Sequence, residues 1–290
     1  MHTIEYYKEQ LAAKEAMLAA TTEFLMDSQR KLEEQNKLLS EIHADIFDSV
    51  RFAELIQRSL SPDLEILKIF FKDASYHVSQ QMGIGGDSVF IKNLNQGIVF
   101  GLFDSTGHGI PAAMLSIGAS MMVNEISSSL EIESPSTLLR LLNYRLNSTF
   151  NSGSHSIAHM EGIMFYYSSR DRVLKYSSAN GKGLVISAER GVFDLPAFKR
   201  PIGGNSHLEF EDNQLEFKQG EKLLLFSDGL TDQFGGEKDK KYSKARLRAL
   251  LETNVDKTVP ELEDIIITSH RTWKAGGKQT DDLSFMIIEF

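Results

Sequence analysis

The sequence predicts an α+β protein in which a long helix precedes a domain built on antiparallel sheet. Three observations carry this. Residues 1–61 hold no glycine and no proline, since Gly83 and Pro62 are the first of each. They are rich in the good helix formers Glu, Lys, Gln, Leu and Ala. Within that stretch Ile4, Leu11, Leu18, Leu25, Leu32, Leu39, Ile46, Ala53 and Leu60 recur every seven residues, a spacing from which a lone helix of period 3.6 would drift. From Pro62 onward the texture changes: glycines appear, and short apolar runs rich in β-branched and aromatic residues alternate with turns.

The seven-residue column reads as the a positions of a heptad. Its d column, Tyr7, Lys14, Thr21, Ser28, Gln35, Ile42, Ser49 and Ile56, is mostly polar, so the seam is marginal. A straight helix of this length would reach roughly 85 Å at 1.5 Å per residue, too long to stand alone in water. A dimeric coiled coil is expected, with a bundle folded back on itself or on the next domain as the alternative. Domain limits of 1–61 and 62–290 follow.

In the second region strands are predicted at Gly97–Phe103, Gly162–Tyr167, Val173–Ser177, Leu184–Ser187, Lys222–Phe226 and Ser284–Phe290. The second and third of these form a hairpin around Ser168–Asp171. Helices are predicted at Pro111–Ser127, Ser136–Ser148, Ser243–Leu251 and Val259–Trp273. Strands that follow strands, with helices inserted in pairs, favour antiparallel pairing over a βαβ alternation.

Composition narrows the function. The 290 residues carry a net charge of −9, which disfavours nucleic acid and anionic membrane surfaces as partners. With no cysteine there is no disulfide, thiolate metal site or cysteine nucleophile, and cytoplasmic residence is compatible. The N-terminus lacks a signal-peptide layout, and no apolar run reaches the length of a membrane span. A soluble intracellular protein is expected.

Four aspartate positions then stand out. Asp87 follows Gly85-Gly86, Asp104 and Asp228 each end an apolar run, and Asp281-Asp282 opens the last strand. A carboxylate at the rim of a core is costly when unpaired, and several together call for a hard divalent cation with oxygen ligands. One Asp-Gly alone would be only a turn; the spacing does not show that the four meet.

These residues carry a resemblance. Gly85-Gly86-Asp87, Asp104-Ser-Thr-Gly-His-Gly, Ser227-Asp-Gly-Leu-Thr-Asp-Gln-Phe-Gly-Gly236 and Gln279-Thr-Asp-Asp-Leu283 resemble the sporulation-type (SpoIIE) serine phosphatases. These form the bacterial branch of the metal-dependent protein phosphatase 2C-like fold. The resemblance covers roughly Leu64 to Phe290. It implies a β-sandwich with helices outside and two Mn²⁺ or Mg²⁺ ions at one end. Asp104 would bridge the ions and the Ser105 carbonyl would bind one. Asp228 and Asp281 would complete the cluster, with Asp87 a ligand directly or through water. The implied activity is hydrolysis of phosphoserine or phosphothreonine by a metal-activated water, on a phosphorylated STAS-type anti-anti-sigma protein in a partner-switching pathway. The first helix would dimerise the enzyme and receive an upstream regulator.

Some positions depart from the pattern or stay open. Ser88-Val89 stands where relatives carry an aromatic pair. Lys182, in Gly181-Lys182-Gly183, is a substrate-phosphate ligand or a solvated loop lysine. His108 is a general acid or a residue that orients the metal-binding turn. Met114, Met121 and Met122 read as core filler, Trp273 as packing, and Glu237–Tyr242 as a mobile flap. Rival functions are a non-catalytic coiled-coil scaffold and a phosphatase for small phosphoesters.

Overall fold

A computed structural model describes residues 2–129, 133–151, 158–204 and 207–290. The chain forms two compact units, residues 1–52 and 53–290. The first is wholly helical, the leading part of α1 (His2–Ser59). Its column residues Leu11, Leu18, Leu25, Leu32 and Leu39 are all exposed. Local ion pairs such as Lys31–Asp27, at 2.7 Å, line its surface. Among the described residues no helix is long and apolar enough to cross a membrane.

The second unit opens with the last turns of α1 and the short α2 (Glu65–Lys68), then β1 (Asp73–Ser79), β2 (Ser88–Leu94) and β3 (Gly97–Ser105). Two helices follow, α3 (Ile110–Ser129) and α4 (Pro135–Phe150). Next come β4 (Met160–Ser168), β5 (Val173–Ala179), β6 (Lys182–Ser187), β7 (Gly191–Asp194), β8 (Asn213–Leu215) and β9 (Lys222–Phe226). After the single turn α5 (Gly229–Asp232) a small hairpin pairs β10 (Phe234–Gly235) with β11 (Lys240–Lys241). The chain ends with α6 (Lys244–Glu252), α7 (Val259–Lys274) and β12 (Leu283–Glu289).

Two five-stranded antiparallel sheets result, ordered β1-β12-β9-β6-β7 and β2-β3-β4-β5-β8. Between them Ile98, Phe100, Phe165, Leu223, Leu225 and Met286 share one core. The intervening residues Val99, Phe103 and Met164 face outward against α3 and α4, while Leu224, Phe226 and Phe285 face α6 and α7. Each central strand is therefore buried on both faces, and reads as a continuous apolar run where a half-solvated strand would alternate. A cross-strand ladder, Phe100 on Phe165 at 5.1 Å and Phe165 on Tyr176 at 5.4 Å between ring centres, runs through the inner core. Helix starts are set by side chains: Ser134 accepts from Thr137 N, and Thr258 with Glu261 forms a capping box before Val259-Pro260.

The α+β class, the sandwich and every predicted strand and helix are present. Four further strands of the sandwich escaped prediction: β1, β2, β7 and β8. All four lie at sheet edges and mix polar with apolar residues, so they present no run to detect. The methionines need correction. Helix α3 buries Leu115, Ala119, Val123 and Ile126, which places Met114 and Met121 on the far side, 68% and 60% exposed. Only Met122 packs against the core.

Candidate metal centre

Strand register brings the acids to one end of the sandwich. Ser88 pairs with Phe103, so Asp87 lies across from Asp104, and Ser105 N donates to Gly86 O at 3.3 Å. In the other sheet Phe226 pairs with Phe285 and Ser227 N donates to Ser284 O at 3.0 Å, which sets Asp228 beside Asp281-Asp282. The two sheets meet where Asp104 and Asp228 line one crevice, close enough for the charge of Asp228 to act on the Asp104 carboxyl. All four expected carboxylates thus share one neighbourhood.

Their environments differ. Asp87 is 2% exposed, and burial pushes its carboxyl up to about 8, with the charges of Asp282 and Asp228 acting the same way and the Ser227 and Ser284 hydroxyls opposing. Its Oδ2 has no hydrogen-bond partner. Asp104 is pushed up to about 9, first by burial and then by Asp87, Asp228 and Asp281. Asp281 is raised as well, again first by burial, with nearby His108 acting in the opposite sense.

Neighbouring loops hold these carboxylates in place. Asp282, which the sequence reading passed over for Asp281, is buried and accepts from Gln81 N and Gly86 N, both at 2.7 Å. Gln279 ties the same loops by donating to Ser79 O at 2.7 Å and Asp281 O at 2.8 Å. Gln57, near the end of α1, was also missed. Its amide donates to Gly85 O at 2.8 Å and Ser116 Oγ at 3.0 Å, and accepts from Gly85 N at 3.3 Å. A glutamine on a polar helix face carries no sequence signal; only the fold reveals its partner. Glu161, opposite Asp104 across the β3–β4 pair, accepts from Asn180 at 2.5 Å and lines the same crevice.

His108 is exposed in a turn whose flanking Gly107 and Gly109 have φ of 94° and 69°, a backbone that side-chain-bearing residues resist. Lys182 opens β6, where a loop position was one expectation, and its Nζ lies 3.9 Å from Asp228 Oδ2. Trp273 packs as expected, under Arg246 at 3.9 Å.

Among the described residues no three His, Asp or Glu side chains are gathered closely enough to cage an ion by themselves. The donor chemistry nevertheless fits a hard divalent cation. It is all oxygen, and one deeply buried carboxylate oxygen is unpartnered. A cradle lies beside it: a Cβ on Gly86 would sit 2.5 Å from the Ser105 carbonyl oxygen, so only glycine keeps that approach open.

A family model described as Stage II sporulation protein E matches residues 95–290, which include three of the four acidic positions. The chain belongs to the SpoIIE family. Phosphoserine phosphatase RsbP of Bacillus subtilis is 23% identical over 222 residues, 75% of this chain; the chain spans 51% of that relative's length. The SiaA-PP2C domain of Pseudomonas aeruginosa superposes with a TM-score of 0.77 at 21% identity, covering 86% of this chain and 98% of that one. The PP2C phosphatase domain of SpoIIE from Bacillus subtilis, solved with a regulatory fragment, gives 0.61 at 16% identity, over 75% and 62%. These likenesses establish a PP2C-type fold, the architecture that the SpoIIE resemblance implied.

Proposed function

We propose that this SpoIIE-family chain is a metal-dependent protein-serine/threonine phosphatase. The observation that carries the reading is the meeting of Asp87, Asp104, Asp228 and Asp281 at one end of the sandwich, with the Lys182 ammonium 3.9 Å from Asp228 to offset them. Asp104, Asp228, Asp281 and the Ser105 carbonyl would hold two Mn²⁺ or Mg²⁺ ions, and Asp87 would ligate directly or through water. When bound, such a pair lowers the pKa of a shared water and offsets charge on a phosphoryl group. The chain's own residues do the positioning: Asp282 and Gln57 fix the Gly85-Gly86 loop, and Lys182 stands ready at the phosphate side. His108, exposed and beside Asp281, is placed to donate a proton to a leaving serine oxygen or to orient the turn.

The substrate proposed is a phosphoprotein, which likeness to a phosphoserine phosphatase supports, and the SpoIIE resemblance implies one of the STAS type in a partner-switching pathway. The exposed heptad column of α1 supports a parallel role, pairing two copies and receiving an upstream regulator, in the cytoplasm. A non-catalytic scaffold is the second reading, favoured by the absence, among the described residues, of three side chains already gathered around an ion position. Calorimetric titration with Mn²⁺ separates the two. The phosphatase reading expects binding in the parent and loss in Asp104→Asn; a scaffold takes up no Mn²⁺ in either.

A further inference from the structure

The two walls beside the acidic centre differ in charge. One is α3 and the turn before it, where no Lys, Arg, Asp or Glu occurs from Ser105 to Asn124, and where Ile110 and Met114 are exposed. Opposite in character is a rim made of the β10–β11 hairpin and the loop that leads from α7 to Asp281. Hydrogen bonds make that rim one piece: Gly236 N to Trp273 O at 2.9 Å, Gln233 Nε2 to Lys278 O at 3.0 Å, Trp273 Nε1 to Lys240 O at 3.1 Å, and Phe234 N to Thr280 Oγ1 at 3.3 Å.

Lys238, Lys240, Lys241, Lys274 and Lys278 project from this rim, and Lys182 stands at its inner end beside Asp228. Asp232 holds Lys241 at 2.6 Å, and Glu237 and Asp239 lie on the hairpin turn, so the rim keeps a positive surplus in a chain whose net charge is −9. It adjoins the centre: Asp232, the partner of Lys241, donates its backbone N–H to Asp228 O at 2.8 Å, and the loop carrying Lys278 ends at Asp281. A local patch of sign opposite to the whole molecule acts on a partner's charge, orienting it during encounter and repelling like-charged competitors.

Resting on the phosphatase reading above, we propose that this rim is the docking surface for the protein substrate, and that it takes acidic residues flanking the phosphorylated serine or threonine. The uncharged α3 wall leaves the opposite flank without electrostatic preference.

The test uses three phosphoserine peptides of equal length, flanked by Asp and Glu, by neutral residues, or by Lys. They are assayed on the full chain with Mn²⁺, beside p-nitrophenyl phosphate. About tenfold higher kcat/KM for the acidic peptide than for the neutral one is expected at low salt, shrinking at 0.5 M NaCl. In Lys238→Glu/Lys240→Glu/Lys278→Glu, checked for folding by circular dichroism, that ratio should fall to about one or below. Equal rates for the three peptides on the parent overturn the proposal, as does a preference that survives the triple change. A second readout, anisotropy of the labelled acidic peptide, needs no turnover. Acid-selective binding without hydrolysis of any peptide or of p-nitrophenyl phosphate contradicts the phosphatase reading and leaves the docking surface standing. Absence of both removes both.

Discussion

The two halves of the centre are built from different sheets and pose different electrostatic problems. Asp87 and Asp104 come from the β2–β3 edge; Asp87 is buried and Asp104 half-buried, and their carboxyls are pushed up to about 8 and about 9. Asp228 and Asp281 come from β9 and β12, and stand nearer to solvent; Asp228 has a lysine at 3.9 Å and Asp281 a histidine close by. The first half needs an external positive charge to ionise at neutral pH; the second carries partial compensation of its own. Carboxylates crowded at one end of the sandwich, the deepest of them with an oxygen that lacks a hydrogen-bond partner, fit a site that cations would complete.

That contrast is broken most forcefully at Asp104. Asp104→Asn removes a carboxylate of the first half that lies against Asp228 of the second, and phosphate release should drop by about 10²–10³-fold or more. Steady-state turnover of p-nitrophenyl phosphate measures it, and near-parental turnover in that variant would remove Asp104 from the chemistry.

Stability against pH separates the halves without requiring activity. Asp87 and Asp104 keep their protons to higher pH in the folded chain than in the unfolded one. Folding therefore takes up protons above about pH 4, and stability falls as pH rises towards 8 or 9. In EDTA the melting temperature should decline across pH 5–9 by roughly 5 °C or more, and saturating Mn²⁺ should flatten the curve. A flat profile in EDTA would mean that the buried pair is compensated by something else.

Gln57→Ala sharpens the comparison on the deep side alone. It releases the Gly85 loop without touching a carboxylate, so Mn²⁺ affinity should weaken by about tenfold while the melting temperature moves little. Calorimetry reads it, and an unchanged affinity would show that Asp282 suffices to hold the loop. The smallest effect belongs to Lys182→Ala on the shallow side. A rise of about two- to fivefold in KM with kcat nearly kept is expected, since a half-exposed ammonium contributes little.

How far the residues foretold this depends on where each sits. Central strands such as Lys222–Phe226 were legible because burial on both faces writes an unbroken apolar run. Edge strands such as Asp73–Ser79 were not, because half their residues meet solvent or loops and the composition is mixed. The four aspartates were legible as strand-end acids, yet their meeting depends on register and on sheet-to-sheet packing that no local pattern encodes. Asp282 illustrates the limit: it neighbours Asp281 and shares its chemistry, but its two oxygens are consumed by Gln81 N and Gly86 N. Met114 and Met121 show the reverse error, apolar residues assigned inward that a helix with one buried face leaves exposed.

The most direct test of a metal-completed centre is phosphate release from p-nitrophenyl phosphate by the full chain, with Mn²⁺ and with EDTA, parent beside Asp228→Asn. Release that needs Mn²⁺, stops in EDTA and is lost in Asp228→Asn is the predicted result. Release that persists in EDTA, or that Asp228→Asn leaves at the parental rate, would contradict it.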